Sequence, residues 1–293
     1  MLTAREWKNY YSAERQALGS PGLERLIHAA PRLACPENGA LIFPHTKLSA
    51  SGELIAAAAL AAVHSRRDEV VMLGVLHGAR TIDRERVKRA RSGDAECLKQ
   101  LRRVHGPELA GDEKIWSEEF SLDAFTELVE LAARLEGVRA PKLLAHYPFL
   151  VGADPLTLPG LDELKSRVRG GAGIVATTDP VHYGVGYGAE STLARTSPEA
   201  AAFATAAIEK QFACLAERNY AEFLKQCETA RSDFRDPGPV LAEIRGGSRA
   251  LKLRIHELRL VNYADTLNAP EPTWVAGALM TLSADTLHQK LPD

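Results

Sequence analysis

The chain has 293 residues, 45% hydrophobic and 25% charged, with 36 Lys and Arg against 38 Asp and Glu. This is ordinary globular composition, long enough to bury a sizeable core, and a net charge of -2 offers no broad basic field for nucleic acid. The longest apolar stretch, Leu54 to Val63, is about half of a membrane span, and MLTAREWKNYY has no apolar core of a secretory signal.

Cysteines 35, 97, 214 and 227 are scattered, with neither a CxxC pair nor a disulfide-framework spacing. A cytoplasmic protein with no membrane partner is the expectation.

Along the chain, Thr3 caps a helix through about Leu18, and Ser20-Pro21-Gly22 opens another that carries Leu23, Leu26 and Ile27. The run ALIFP, Ala40 to Pro44, is too short for a helix and reads as a buried strand. Ser51-Gly52-Glu53 opens an alanine-rich helix to about His64, and EVVMLGVLH, Glu69 to His77, is a second strand. Strand, helix, strand in this span is a βαβ unit and predicts a parallel sheet. Arg80 to Asp112 is charged and reads as an excursion from the sheet, its RERVKRARS cluster a solvated helix face.

Ser121 caps an amphipathic helix with Leu122, Phe125, Leu128, Val129, Ala132 and Leu135 on one face. PKLLAHYPFLVG is strand-like, the helix LDELKSRVR follows, and GIVATTDP, Gly173 to Pro180, is a third buried strand. HYGVGYGAE departs from GxGxxG and reads as a flexible loop near a pocket. Ser197-Pro198-Glu199 opens a helix to about Asn219, and a shorter helix runs to Cys227. LKLRIHELRLVNYA and TWVAGALMTL are two further strands, and residues 1–293 form one domain.

Ligands of open α/β sheets sit beyond the carboxyl ends of the strands. Three strands end there in suitable side chains: His45, His77, and Asp179 with His182. A lone histidine at a strand end is ordinarily a satisfied polar residue; three such ends favour a convergent site. The remaining six histidines sit on helix faces, loops or strand-like segments and receive no role.

The blocks PHTKLSASG, LGVLHGA, PFLVGA, TTDPVHYG and NYADT…WVAGAL resemble, in order and spacing, those of the Memo-like family. That family is similar in fold to the catalytic subunit of class III extradiol ring-cleavage dioxygenases. The resemblance covers roughly residues 40 to 282. It implies a three-layer α/β sandwich with a mixed central sheet, a divergent helical N-terminus at 1–38 and a charged excursion at 80–118. It also implies His45 and His77 as metal ligands, with Asp179 and His182 in the pocket.

The family's third ligand is usually a cysteine. In CETARSDFRDPGPVL its position falls on Asp233 when Arg235 and Pro237 are aligned, on Ser232 after a shift of one residue, and on Cys227 only after a larger shift. Asp233 is favoured, against its reading as a loop residue capping the helix near Pro237. With Asp233 the set is a two-His-one-carboxylate triad suited to non-haem Fe(II); with Cys227 it is softer and suits Zn, Cu(I) or Fe. Where the family carries an EHS-type segment, this chain has EEFSLDAF, with Phe120 and Phe125 in histidine positions and Asp123 for glutamate, implying a drier, aromatic wall.

The resemblance thus implies an Fe(II) dioxygenase-type oxidoreductase acting on a small, aromatic or phenolic substrate. His182 serves as acid/base, since histidine titrates near neutrality. Asp179 orients it, and Tyr183 and Tyr187 stand near the pocket. Two rivals are kept: a Zn hydrolase at the same residues, and a non-catalytic binding protein with a degenerate site. A homodimer is the candidate assembly.

Overall fold

The computed structural model describes residues 2–78, 84–106, 118–189, 192–246 and 250–284. The helices are α1 (Ala4–Ala29), α2 (Leu48–His64), α3 (Arg84–Arg91), α4 (Ala95–Leu101), α5 (Asp123–Leu135), α6 (Leu161–Arg169), α7 (Pro198–Ala216), α8 (Tyr220–Ala230), α9 (Pro237–Gly246) and α10 (Ala264–Leu267). The strands are β1 (Gly39–Phe43), β2 (Glu69–Leu73), β3 (Arg103–His105), β4 (Lys142–Phe149), β5 (Gly173–Thr177), β6 (Val181–Gly184), β7 (Leu251–Asn262) and β8 (Thr273–Ala284).

The strands form a mixed sheet in the order β3-β4-β2-β5-β1-β8-β6, with β7 on the other edge of β8. β1, β5, β2 and β4 are mutually parallel, and β3, β6, β7 and β8 pair antiparallel. Helices cover both faces, as expected of the α/β sandwich.

Alternation along the strands builds both cores. Leu41 and Phe43 of β1, Val70 and Met72 of β2 and Val175 of β5 pack with α2 and α5. Ala40, Ile42, Val71, Leu73, Ile174 and Ala176 pack on the opposite face with α6, α7, α8 and α9. Burial on both faces explains why these strands read as continuous apolar runs. Phe43 and Phe125 stack at 4.4 Å between ring centres, a contact that adds about 1 kcal/mol beyond its buried area.

Thr3 caps α1 in a full capping box with Glu6, and the two expected N-terminal helices meet at a kink where Gly19 takes φ 57°. Several boundaries differ from the sequence reading. α2 begins at Leu48 rather than Ser51, because Glu14 of α1 accepts from the Leu48 and Ser49 amides at 2.9 and 3.0 Å. A carboxylate from another helix caps the end, and no local motif encodes it.

Ser121 does not cap α5; its hydroxyl bonds both the N–H and the C=O of Val75 at 3.1 Å. The charged excursion returns to the sheet as β3, which pairs with β4. Within it α3 buries Val87 and Ala90, while 80–83 and 107–117 lie outside the described residues. The first part of HYGVGYGAE is β6 paired to β8, not loop; Glu190 lies outside the described residues. No described helix is long and apolar enough to cross a membrane.

Candidate metal centre

Three of the parallel strands deliver the first components. His45 follows β1, His77 follows β2, and Asp179 follows β5. Because those strands are adjacent and parallel, their carboxyl ends open on one side of the sheet. His182 comes from β6, which β8 places on that same side through the pairing of His182 with Val275.

Asp233 arrives from the other helical layer. α8 ends with Arg231 in the left-handed region, φ 52°. Ser232 N–H bonds the Cys227 carbonyl at 2.8 Å and Arg231 N–H bonds that of Glu228 at 3.2 Å, the paired bonds of a Schellman turn. The chain then reverses. Ser232 Oγ accepts from Phe234 N–H at 3.1 Å, Asp233 N–H donates to the Asp179 carbonyl at 3.2 Å, and fully buried Phe234 anchors the turn against Phe212.

The result is a convergence on one oxygen. The Nε2 atoms of His45, His77 and His182 lie 3.6, 3.6 and 3.5 Å from Asp233 Oδ2, and His45 Nε2 lies 3.5 Å from Asp179 Oδ2. His45, His77 and Asp233 form one group able to hold a metal ion, and Asp179, His182 and Asp233 form a second that shares the same aspartate.

The other ring nitrogens fix the tautomers. Thr177 Oγ1 donates to the Phe43 carbonyl at 3.0 Å, so it can only accept from His45 Nδ1–H at 3.1 Å. His182 Nδ1 is 2.7 Å from the Arg231 carbonyl, which has no proton to give. His77 Nδ1 is 3.0 Å from Glu119 Oε1. All three rings hold a proton on Nδ1 and turn Nε2 inward, the arrangement that second-sphere acceptors impose on metal-binding histidines.

Charges follow from this packing. Burial opposes the Asp233 charge, yet His182, His45 and His77 together hold its carboxyl well below the usual range. Burial pushes Asp179 up and Asp233 adds to the rise, against the pull of His45 and His182. Burial also works against charge on His77, but Glu119 and Asp233 raise it to about 10.

Glu119 is the residue that sequence reasoning missed. It is buried, and its carboxylate accepts from His77 Nδ1, from the His77 and Gly78 amides, and from the Phe120 and Ser121 amides. Burial alone would raise its carboxyl; His77 and these donors bring it down to about 2. It lies 42 positions from His77, and its one signal in the sequence is its place in EEFSLDAF, the stretch set against the EHS-type segment of the resemblance, where it receives no role.

Of the three candidates for a third ligand, Asp233 reaches the cluster. Ser232 spends its hydroxyl on Phe234 N–H. Cys227 is buried in the helical core beside Gln211, and burial pushes its thiol far up. The acceptor that fixes His182 Nδ1 is the Arg231 carbonyl rather than Asp179, whose Oδ1 accepts from the His45 amide at 3.2 Å. Phe120 stacks on His77 at 4.6 Å and lines the pocket. Phe125 does not reach this wall; it packs against Phe43.

The cluster opens into a pocket of about 240 Å³. Its aromatic walls include Tyr187, as expected, together with Trp7 and Tyr11 of α1 and Tyr263, which the sequence did not point to. Tyr11 and Tyr263 share a buried hydroxyl contact of 2.7 Å. Arg231 lines the exposed side. Tyr183 packs away from it, stacked on Trp274.

These features define an α/β sandwich with a buried His/Asp cluster at the carboxyl ends of its parallel strands. No family model matches the chain, and no curated protein matches it in sequence.

Proposed function

We propose that this chain is a non-haem Fe(II) oxidoreductase of dioxygenase type, with His45, His77 and Asp233 as ligands and a small phenolic compound as substrate. The observation that carries the reading is the set of imidazole Nε2 atoms, each fixed in tautomer from behind, turned toward one ionised carboxylate. Once free of their Nε2 protons, these imidazoles and the carboxylate offer a cation a matched, inward-facing set of ligand atoms. When bound, Fe(II) supplies the one-electron redox chemistry that dioxygen needs.

The chain's own residues do the rest. Phe120 covers the His77 ring and keeps water from that side. The aromatic walls hold a planar ring. His182, its Nδ1–H held by the Arg231 carbonyl, presents Nε2 as the atom that takes and returns a phenolic proton. The Arg231 guanidinium bonds only the Gly188 carbonyl and pairs with no carboxylate among the described residues, so it suits an acidic substituent on the substrate.

The test is anaerobic reconstitution with Fe(II), then oxygen uptake across phenols with and without a carboxylate. Uptake that is lost in His45→Ala and His77→Ala supports the reading; no uptake with any phenol by iron-loaded protein contradicts it. One observation favours a second reading. His182 Nε2 is as close to Asp233 as the other two, and a four-residue set suits Zn. Oxygen-independent hydrolysis restored by Zn would establish that reading instead.

A further inference from the structure

A second cavity, of about 380 Å³, lies at the opposite end of the sheet. Glu37 and Asn38 precede β1, Arg67 precedes β2, Arg169 closes α6, and Arg245 sits in the last turn of α9; all five line it. The five-residue strands β1, β2 and β5 separate it from the histidine cluster by roughly 16 Å of backbone.

Its charges are unbalanced. Arg245 is mostly buried, makes no hydrogen bond or ion pair among the described residues, and its Nε is fully buried with no acceptor. The charged group closest in effect is another guanidinium, Arg67: burial, with Arg67 adding to it, pulls Arg245 down to about 10. Neighbouring Cys35 provides no counter-charge, since burial pushes its thiol up. Arg67 spends one nitrogen on the Gly171 carbonyl at 2.9 Å, and Arg169 is exposed at the rim with no partner among the described residues. Glu37, exposed, is the one carboxylate lining the cavity.

A helix C-terminus accounts for one basic side chain in its last turn. It does not account for a half-buried guanidinium whose Nε is sealed off without an acceptor and which faces a second guanidinium, an arrangement that an entering anion would relieve. We infer that Arg67, Arg169 and Arg245 form a binding site for a phosphate-type oxyanion, separate from the histidine cluster and independent of the function proposed for it. Guanidinium forks match the oxygen spacing of a phosphoryl group, and a cavity of this size admits inorganic phosphate or the phosphoryl end of a small molecule.

The experiment is calorimetric titration of the full chain with inorganic phosphate and with pyrophosphate, against sodium chloride at matched ionic strength, together with thermal melts. Wild type should bind and rise in Tm. Arg67→Gln and Arg245→Gln should each weaken binding by about tenfold or more. Arg245→Gln should also melt no lower than wild type in phosphate-free buffer, because it removes a half-buried charge that no carboxylate offsets. Arg169→Gln, at an exposed position, keeps the site testable if a buried variant fails to fold, and should weaken binding as well. No saturable binding by wild type, or equal affinity in wild type and Arg169→Gln together with either folded buried variant, overturns the inference.

Discussion

Glu119 accepts the Nδ1 proton of His77 at 3.0 Å, and that bond aims the opposite ring nitrogen at Asp233. The geometry of the candidate metal site therefore depends on a residue outside the ligand set. Glu119→Gln preserves size but replaces a carboxylate acceptor with an amide. Metal affinity measured by competition with a chromophoric chelator should fall by about 10–100-fold. An unchanged affinity would mean that Glu119 does not position His77.

The same pair sets a pH dependence for chelator-treated protein. Glu119 is depressed from 4.5 to about 2, so its contribution is full above 4.5 and is lost as pH falls toward 2. His77 is raised from 6.5 to about 10, so its contribution is full below 6.5 and is lost as pH rises toward 10. The pair is thus strongest between these limits. Urea melts across pH should show a shallower decline on both sides in Glu119→Gln than in wild type; parallel profiles would contradict this.

Asp233 and Cys227 make opposite predictions. Asp233→Ala should abolish tight metal binding, whereas Cys227→Ala should retain it and lose about 1 kcal/mol of stability from a small core cavity. The Cys227 thiol, buried and held protonated, should also react with iodoacetamide only after denaturation. Metal retention by Asp233→Ala with loss in Cys227→Ala would reverse the assignment.

Gly74 separates β2 from His77, and a Cβ there would run into the Tyr147 ring, with Leu122 Cδ1 at 3.0 Å. Gly74→Ala should cost about 1–3 kcal/mol by overpacking and weaken metal binding by displacing the loop that carries His77. Denaturation midpoints and the chelator competition check both parts; wild-type values in each would show that the loop yields freely.

Much of the fold was legible because its signals are local. The runs ALIF, VVML and GIVAT are short, apolar and closed by proline, glycine or polar residues, so each marked a central strand and the strand-end side chain after it. His45, His77, Asp179 and His182 followed from that reasoning. Asp233 did not: its place depends on the Schellman turn at Arg231, where an arginine occupies a left-handed position that composition would assign to glycine. Glu119, Tyr11 and Tyr263 were illegible because each meets the site across a long sequence separation. The cap on α2 came from Glu14 of another helix, and β3 was hidden in a charged segment because it is a three-residue edge strand.

The most direct test of the central claim is metal stoichiometry by mass spectrometry on protein purified without a histidine tag and reconstituted anaerobically with Fe(II). About one tightly held ion per chain is expected, lost in His45→Ala, His77→Ala and Asp233→Ala alike. Folded wild-type protein that retains no metal, or variants that retain as much as wild type, would contradict it.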